Sequence, residues 1–236
     1  MLISVVNKTE AIESIEGGAD ILDVKNPKEG ALGANFPHVI RSVKDAAPKN
    51  LEVSATIGDL PNLPGTASLA ALGAAVSGVD YVKVGLFGVK NKEEATALMI
   101  EVVRAVKDYN SNLKTIASGY ADYRTVGCVS PLELPEVAHD SKADGVLIDV
   151  KIKNKKSKLF TFLDDQQLKQ FVTQAHSYKL LAALAGSLDA TDVPKIHSLG
   201  ADIIGVRGAV CSQKDRVFGK LERQKVAEFV DALKEL

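Results

Sequence analysis

Four segments of the chain repeat one pattern: GGADILDVK (Gly17 to Lys25), SGVDYVKVG (Ser77 to Gly85), KADGVLIDV (Lys142 to Val150) and LGADIIGVR (Leu199 to Arg207). Each leaves a helical stretch, passes a small residue and an aspartate, and then runs apolar as a buried strand does. Counting from Asp20, Asp80, Asp144 and Asp202, polar residues fall three or five places on, at Asp23, Lys25, Lys83, Asp149 and Arg207. Three and five share parity, so in a strand of period two these side chains face one side. The four strands thus aim two carboxylates, two lysines and an arginine into one space.

Between and around these segments, short apolar runs alternate with longer helical patterns from end to end. The runs predict strands at Leu2–Val6, Ile21–Lys25, Leu51–Thr56, Tyr81–Gly85, Lys114–Ser118, Gly145–Asp149, Leu180–Ala185 and Ile203–Val206. Helices are expected at Lys8–Glu16, Pro37–Ala47, Ser68–Ser77, Lys92–Tyr109, Pro131–Ser141, Asp164–Tyr178, Thr191–Leu199 and Arg223–Leu236. Eight βα units without a composition break imply a parallel sheet covered by helices. With 236 residues, close to the ~250 typical of the fold, the expectation is a single-domain α/β (β/α)8 TIM barrel over 1–236. An open doubly wound sheet is the alternative. The longest irregular stretches, Asn26–Phe36, Ile57–Thr66 and Lys151–Phe162, follow strands 2, 3 and 6. Barrel active sites are built at those strand ends.

A net charge of −1 gives no reason to expect nucleic acid or an anionic membrane as a partner. No apolar stretch approaches the ~18 residues of a membrane span. The start, MLISVV, lacks a basic region and a long apolar run, so no signal peptide and a cytoplasmic location are expected. Cys128 and Cys211 form no metal or CxxC spacing and read as reduced thiols. His38, His139, His176 and His197 fall at no strand end and make a poor metal site. The sequence leaves the oligomeric state open, a homo-oligomer included.

Asp23 and Lys25 lie two apart near the end of strand 2. Lys25 is a candidate Schiff-base nucleophile, since a barrel-lining lysine is a common means of holding an aldehyde or ketone. It must be neutral to attack, and lowering its pKa by three units costs roughly 4 kcal/mol. Asp23 pushes the wrong way, whereas a second lysine such as Lys83 pushes the right way. A structural Asp23–Lys25 ion pair is the plainer reading. Lys83, inside the apolar run YVKVGL, is costly unless paired with Asp23 or Asp149 or used in chemistry. Asp149 can shuttle protons, balance a lysine or cap the next loop. The run KIKNKKSK supplies Lys151, Lys153, Lys155, Lys156 and Lys158, mostly a solvated loop from which one lysine can reach inward. AGS and GVRGA end strands 7 and 8, whose loops commonly bind phosphate through exposed N–H groups. Gly186, Ser187, Arg207 and Gly208 are therefore the candidate phosphate site, for a small phosphorylated substrate.

The run DVKNPKEGALGANFP, with SATIGDLPNLPGT, DYVKVGLFGVKN, GYAD, AHSYKLLAALAGS and DIIGVRGAVC, resembles the (5-formylfuran-3-yl)methyl phosphate synthases of methanofuran biosynthesis. The resemblance covers essentially the whole chain. It implies a lyase that condenses two molecules of glyceraldehyde 3-phosphate into a furan aldehyde phosphate, losing one phosphate and two waters, with no metal or organic cofactor. It places the Schiff-base lysine on Lys25, the acid–base lysine on Lys83, supporting carboxylates on Asp23 and Asp149, and a further active-site lysine on Lys153. Two other classes stay open: a phosphate-binding barrel lyase or isomerase that uses its lysines only as bases, and a non-catalytic phosphosugar-binding protein.

Overall fold

The computed structural model describes residues 1–154 and 157–235. Eight parallel strands close in chain order into a barrel, with the first strand paired to the last through Leu2↔Gly205 and Ile3↔Val206. They are β1 Leu2–Val5, β2 Ile21–Val24, β3 Glu52–Asp59, β4 Tyr81–Gly85, β5 Lys114–Tyr120, β6 Gly145–Asp149, β7 Leu181–Leu184 and β8 Ile203–Val206. The outer helices are α1 Lys8–Glu16, α2 Pro37–Ala46, α3 Pro64–Ala75, α4 Lys92–Tyr109, α5 Leu134–Ser141, α6 Asp165–Ser177, α7 Val193–Leu199 and α8 Arg223–Lys234. Closure rules out the open sheet.

Local chemistry sets the helix starts. Asn7 and Asn91 accept the backbone N–H groups of Glu10 and Glu94 at the starts of α1 and α4, and Asp164 with Gln167 forms a reciprocal capping box on α6. Helix α3 starts at Pro64 rather than the expected Ser68, because proline is preorganised for the first turn. Two strands outrun their apolar runs. In β3 a register shift between Thr56 and Asp59 carries pairing on to Gly85 of β4, and β5 continues to Tyr120, opposite Asp149. Both extensions deliver polar side chains to the site.

The four aspartates of the repeat explain why four segments match rather than eight. Each opens an even strand at the N-terminal end of the barrel and ties it to the strand before. Asp80 accepts the Val53 N–H at 2.7 Å, Asp144 that of Thr115 at 2.7 Å, and Asp202 that of Ala182 at 2.8 Å. Asp20 meets the Met1 amino group. These carboxylates satisfy bottom-edge N–H groups that lack a strand partner, and the barrel reads as four quarter units of two strands.

Inside the barrel, Tyr81, Ile116, Leu147 and Ala183 form an apolar plug. Above it, toward the C-terminal ends, lies a buried polar layer. The larger core fills the space between strands and helices.

Candidate active site

The polar layer is organised on one rung. Ser4, Asp23 and Ser54 are register partners across β1, β2 and β3. Both serine hydroxyls donate to the Asp23 carboxylate, Ser54 at 2.6 Å and Ser4 at 3.0 Å. Lys83 completes the shell with an ion pair to Asp23 at 2.8 Å, both side chains buried. Burial alone would raise the Asp23 pKa, but Lys83, Lys25 and the Ser54 hydrogen bond together hold it below the usual carboxylate range. The sequence left open which carboxylate Lys83 meets; it is Asp23.

Lys25 stands just past the end of β2. Its N–H donates to the Val5 carbonyl, and its own carbonyl accepts from the Asn35 amide, which folds the following loop back over the strand. The side chain is only 7% exposed, and among the described residues its Nζ has no hydrogen-bond or ion-pair partner. Burial is the main reason that its pKa falls to about 7. Asp149 and Asp23 oppose the fall, and Lys153 and Lys83 add to it. The neutral amine is thus far more accessible near neutral pH than in an ordinary lysine. Neighbouring positive charge helps, as expected, but exclusion of water does more.

Asp149 ends β6 and accepts the Val150 N–H at 2.7 Å and the Lys153 ammonium. Burial would raise its pKa; Lys153 and Lys25 outweigh that and bring it to about 2. Asp122 takes the N–H groups of Lys151 and Ile152, each at 2.8 Å. That anchor bends the loop so that Lys153 returns to Asp149, while Lys151 goes to Asp59 at 3.2 Å. Lys158 pairs with Asp189 at 2.8 Å. Lys155 and Lys156 lie outside the described residues.

Lys25, Asp149 and Lys153 form one side of a cavity of about 660 Å³ at the C-terminal ends of the strands, and Gly186, Ser187, Arg207 and Gly208 line it too. At Gly186 the backbone has φ +112°, and a Cβ there would meet Val150 Cγ2 at 2.9 Å, so only glycine lets β7 leave so close to β6. Arg207 reaches the cavity wall, but its guanidinium is held by Glu10 of α1 at 2.7 Å and donates to the carbonyls of Ser4 and Arg216. Its charge is matched inside the protein.

Sequence reasoning did not single out several residues that shape this site. Asp59, beyond the β3 irregularity, accepts the N–H groups of Ala31 and Leu32 at 2.9 and 3.1 Å, the Tyr120 hydroxyl and the Lys151 ammonium. It pins the turn at Gly30, where φ is +153° and a Cβ would lie 2.0 Å from Asp59 Oδ2. Burial and Asp59 push the Tyr120 phenol well above its ordinary value. Arg216, in the loop before α8, also lines the cavity. Serine within apolar runs (LISV, EVSA) was a readable signal for Ser4 and Ser54; Arg216 sits in a loop with no period to read.

Among the described residues no group of three or more His, Cys, Asp or Glu is placed to hold a metal, and all four histidines lie on helices. Cys128 and Cys211 are free and buried, and burial pushes both thiols up to about 11. No helix among the described residues is long and apolar enough to cross a membrane.

Fold and cavity together define a (β/α)8-barrel protein with a lysine-lined site at the C-terminal strand ends. The fold is shared with 3-hexulose-6-phosphate synthase, at a TM-score of 0.64 and 17% identity over 99% of this chain and 98% of that one. Orotidine 5′-phosphate decarboxylase from Pyrococcus horikoshii shares it at 0.65 and 20% identity over 100% of both chains. The family model described as 4-HFC-P synthase matches residues 1–230. A protein of Methanocaldococcus jannaschii named (5-formylfuran-3-yl)methyl phosphate synthase is 52% identical over 99% of each chain. One of the same name from Methanosarcina barkeri is 54% identical over 89% of this chain and 90% of its own. The chain belongs to the 4-HFC-P synthase family, as its motifs led one to expect, and it is an enzyme.

Proposed function

We propose that the protein condenses two molecules of glyceraldehyde 3-phosphate into (5-formylfuran-3-yl)methyl phosphate, in methanofuran biosynthesis, through an imine on Lys25. The observation that carries this reading is Lys25 itself: a buried amine without a partner among the described residues, its pKa lowered toward neutrality, in a cavity large enough for small phosphorylated ligands.

Neutral Lys25 attacks the aldehyde carbon of one triose phosphate, and water leaves as the iminium forms. The iminium draws electrons from the adjacent carbon, so a proton there becomes labile. Lys83 moves protons as groups leave and the new carbon–carbon bond forms. Asp23, with its two serine donors, keeps Lys83 in place. Asp149 and Lys153 form a second proton-carrying pair at the cavity wall. The N–H groups near Gly186, Ser187 and Gly208 hold the phosphate that stays on the product, and Arg207 braces that wall through Glu10 and the Arg216 carbonyl. The balance closes without a redox partner: two triose phosphates give one furan aldehyde phosphate, one inorganic phosphate and two waters.

Incubation of pure protein with glyceraldehyde 3-phosphate tests the reaction. Furan absorbance should rise with one phosphate released per furan. Phosphate released without furan would identify a different lyase, and neither signal would leave a binding protein.

A further inference from the structure

The proposed reaction, on which this inference rests, brings two phosphate groups to one cavity, and the cations of the cavity are not equally free to meet them. Arg207 is matched by Glu10, Lys153 by Asp149 and Lys158 by Asp189. Lys214 and Arg216, which line the same cavity, have no ion pair among the described residues, and Arg216 is the one with a planar, partly buried head group. Among the described residues no carboxylate lies within ion-pair distance of it. Its one hydrogen bond there runs from Nη2 to the Gly30 carbonyl at 2.9 Å, a neutral acceptor. A guanidinium has five N–H donors, so the other four have no partner among the described residues.

The position of Arg216 is fixed at both ends. Its Cβ lies 3.8 Å from where a Cβ on Gly208 would stand, at the wall formed after β8. Its backbone carbonyl is held by Arg207 Nε at 2.6 Å. Its guanidinium reaches the turn after β2, which Asp59 pins from below. The side chain therefore runs from the wall after β8 to the Gly30 turn, in the loop that follows Lys25 in the chain. Burial pushes its pKa down, against the pull of Asp149 and Asp59. A partly buried cation without a contacting anion is costly unless an anion arrives from outside, and the planar fork suits a phosphate in two-point contact.

We propose that Arg216 is the cation of a second phosphate site, distinct from the backbone pocket at Gly186, Ser187 and Gly208, so that the cavity holds two phosphate groups at once. One is retained through the backbone pocket; the other, toward the Gly30 turn, meets the Arg216 guanidinium.

Titration with inorganic phosphate, read by calorimetry, tests this without turnover. The unaltered protein should bind two phosphates per chain. Arg216→Gln should bind one at nearly unchanged affinity and lose the other by at least tenfold. A single phosphate or none in the unaltered protein, or two of unchanged affinity in Arg216→Gln, overturns the proposal. Should the variant lose its cooperative melt, crystals of the unaltered protein soaked in phosphate decide. Density within hydrogen-bond distance of the Arg216 guanidinium supports the proposal, and a soak that fills only the backbone pocket refutes it. Protein that binds two phosphates but never traps an imine would sink the Lys25 chemistry and leave this inference standing.

Discussion

Replacing Lys25 with Met should make the protein more stable, and by an amount that shrinks as pH rises. The folded state holds the Lys25 pKa at about 7, well below the ordinary lysine value of 10.5, a difference worth about 5 kcal/mol. Below pH 7 the amine is charged in folded and unfolded chains alike, and folding bears the whole cost of burying an ammonium. Between pH 7 and 10.5 the unfolded chain holds a proton that the folded chain has lost, so stability rises with pH. Above 10.5 the cost is gone. Met keeps most of the volume and removes the charge. The variant should exceed the parent by about 4–5 kcal/mol at pH 6 and by about 2 kcal/mol at pH 9. Urea denaturation of both proteins at both pH values measures the gap, and titrating groups remote from Lys25 cancel in the comparison. A gap that does not change with pH would refute a depressed Lys25 pKa, and a parent more stable than the variant at pH 6 would refute the cost of its burial.

Lys83→Met leaves Asp23 with the two serine hydroxyls but without its 2.8 Å ion pair. Breaking a buried pair should cost about 3 kcal/mol of stability, and turnover should fall roughly 10²–10⁴-fold. Melting temperature and turnover on one preparation check both, and a folded variant with near-parental turnover would end the acid–base role. Gly30→Ala drives a Cβ to 2.0 Å from Asp59 Oδ2 at a φ of +153°. It should cost at least about 1–3 kcal/mol and expose the Asn26–Phe36 loop to limited proteolysis; an unchanged melt and cleavage pattern would contradict the pinning by Asp59.

The barrel was legible because its signals are local. Strand parity in the four repeats places Asp23, Lys83 and Asp149 in the buried layer at the strand ends, and Lys25 just above them. Lys153 was reached only through family resemblance, because a lysine-rich loop has no period, and its placement depends on the Asp122 anchor. The state of Arg207 was hidden by distance along the chain, since its partner Glu10 lies 197 residues away. Asp59 was missed because the irregularity in β3 resets the register that parity arguments count on. The depth of Lys25 was not legible either. Sequence shows which charges share a face but not how completely a loop excludes water, and burial is what moves that pKa most.

The central claim is the imine on Lys25, and borohydride reduction in the presence of glyceraldehyde 3-phosphate tests it most directly. Mass spectrometry of the digested protein should find a triose-derived addition on the peptide that contains Lys25, dependent on both substrate and reductant. Label on Lys83 or Lys153 instead, or no label from a preparation that is turning over, would contradict the account.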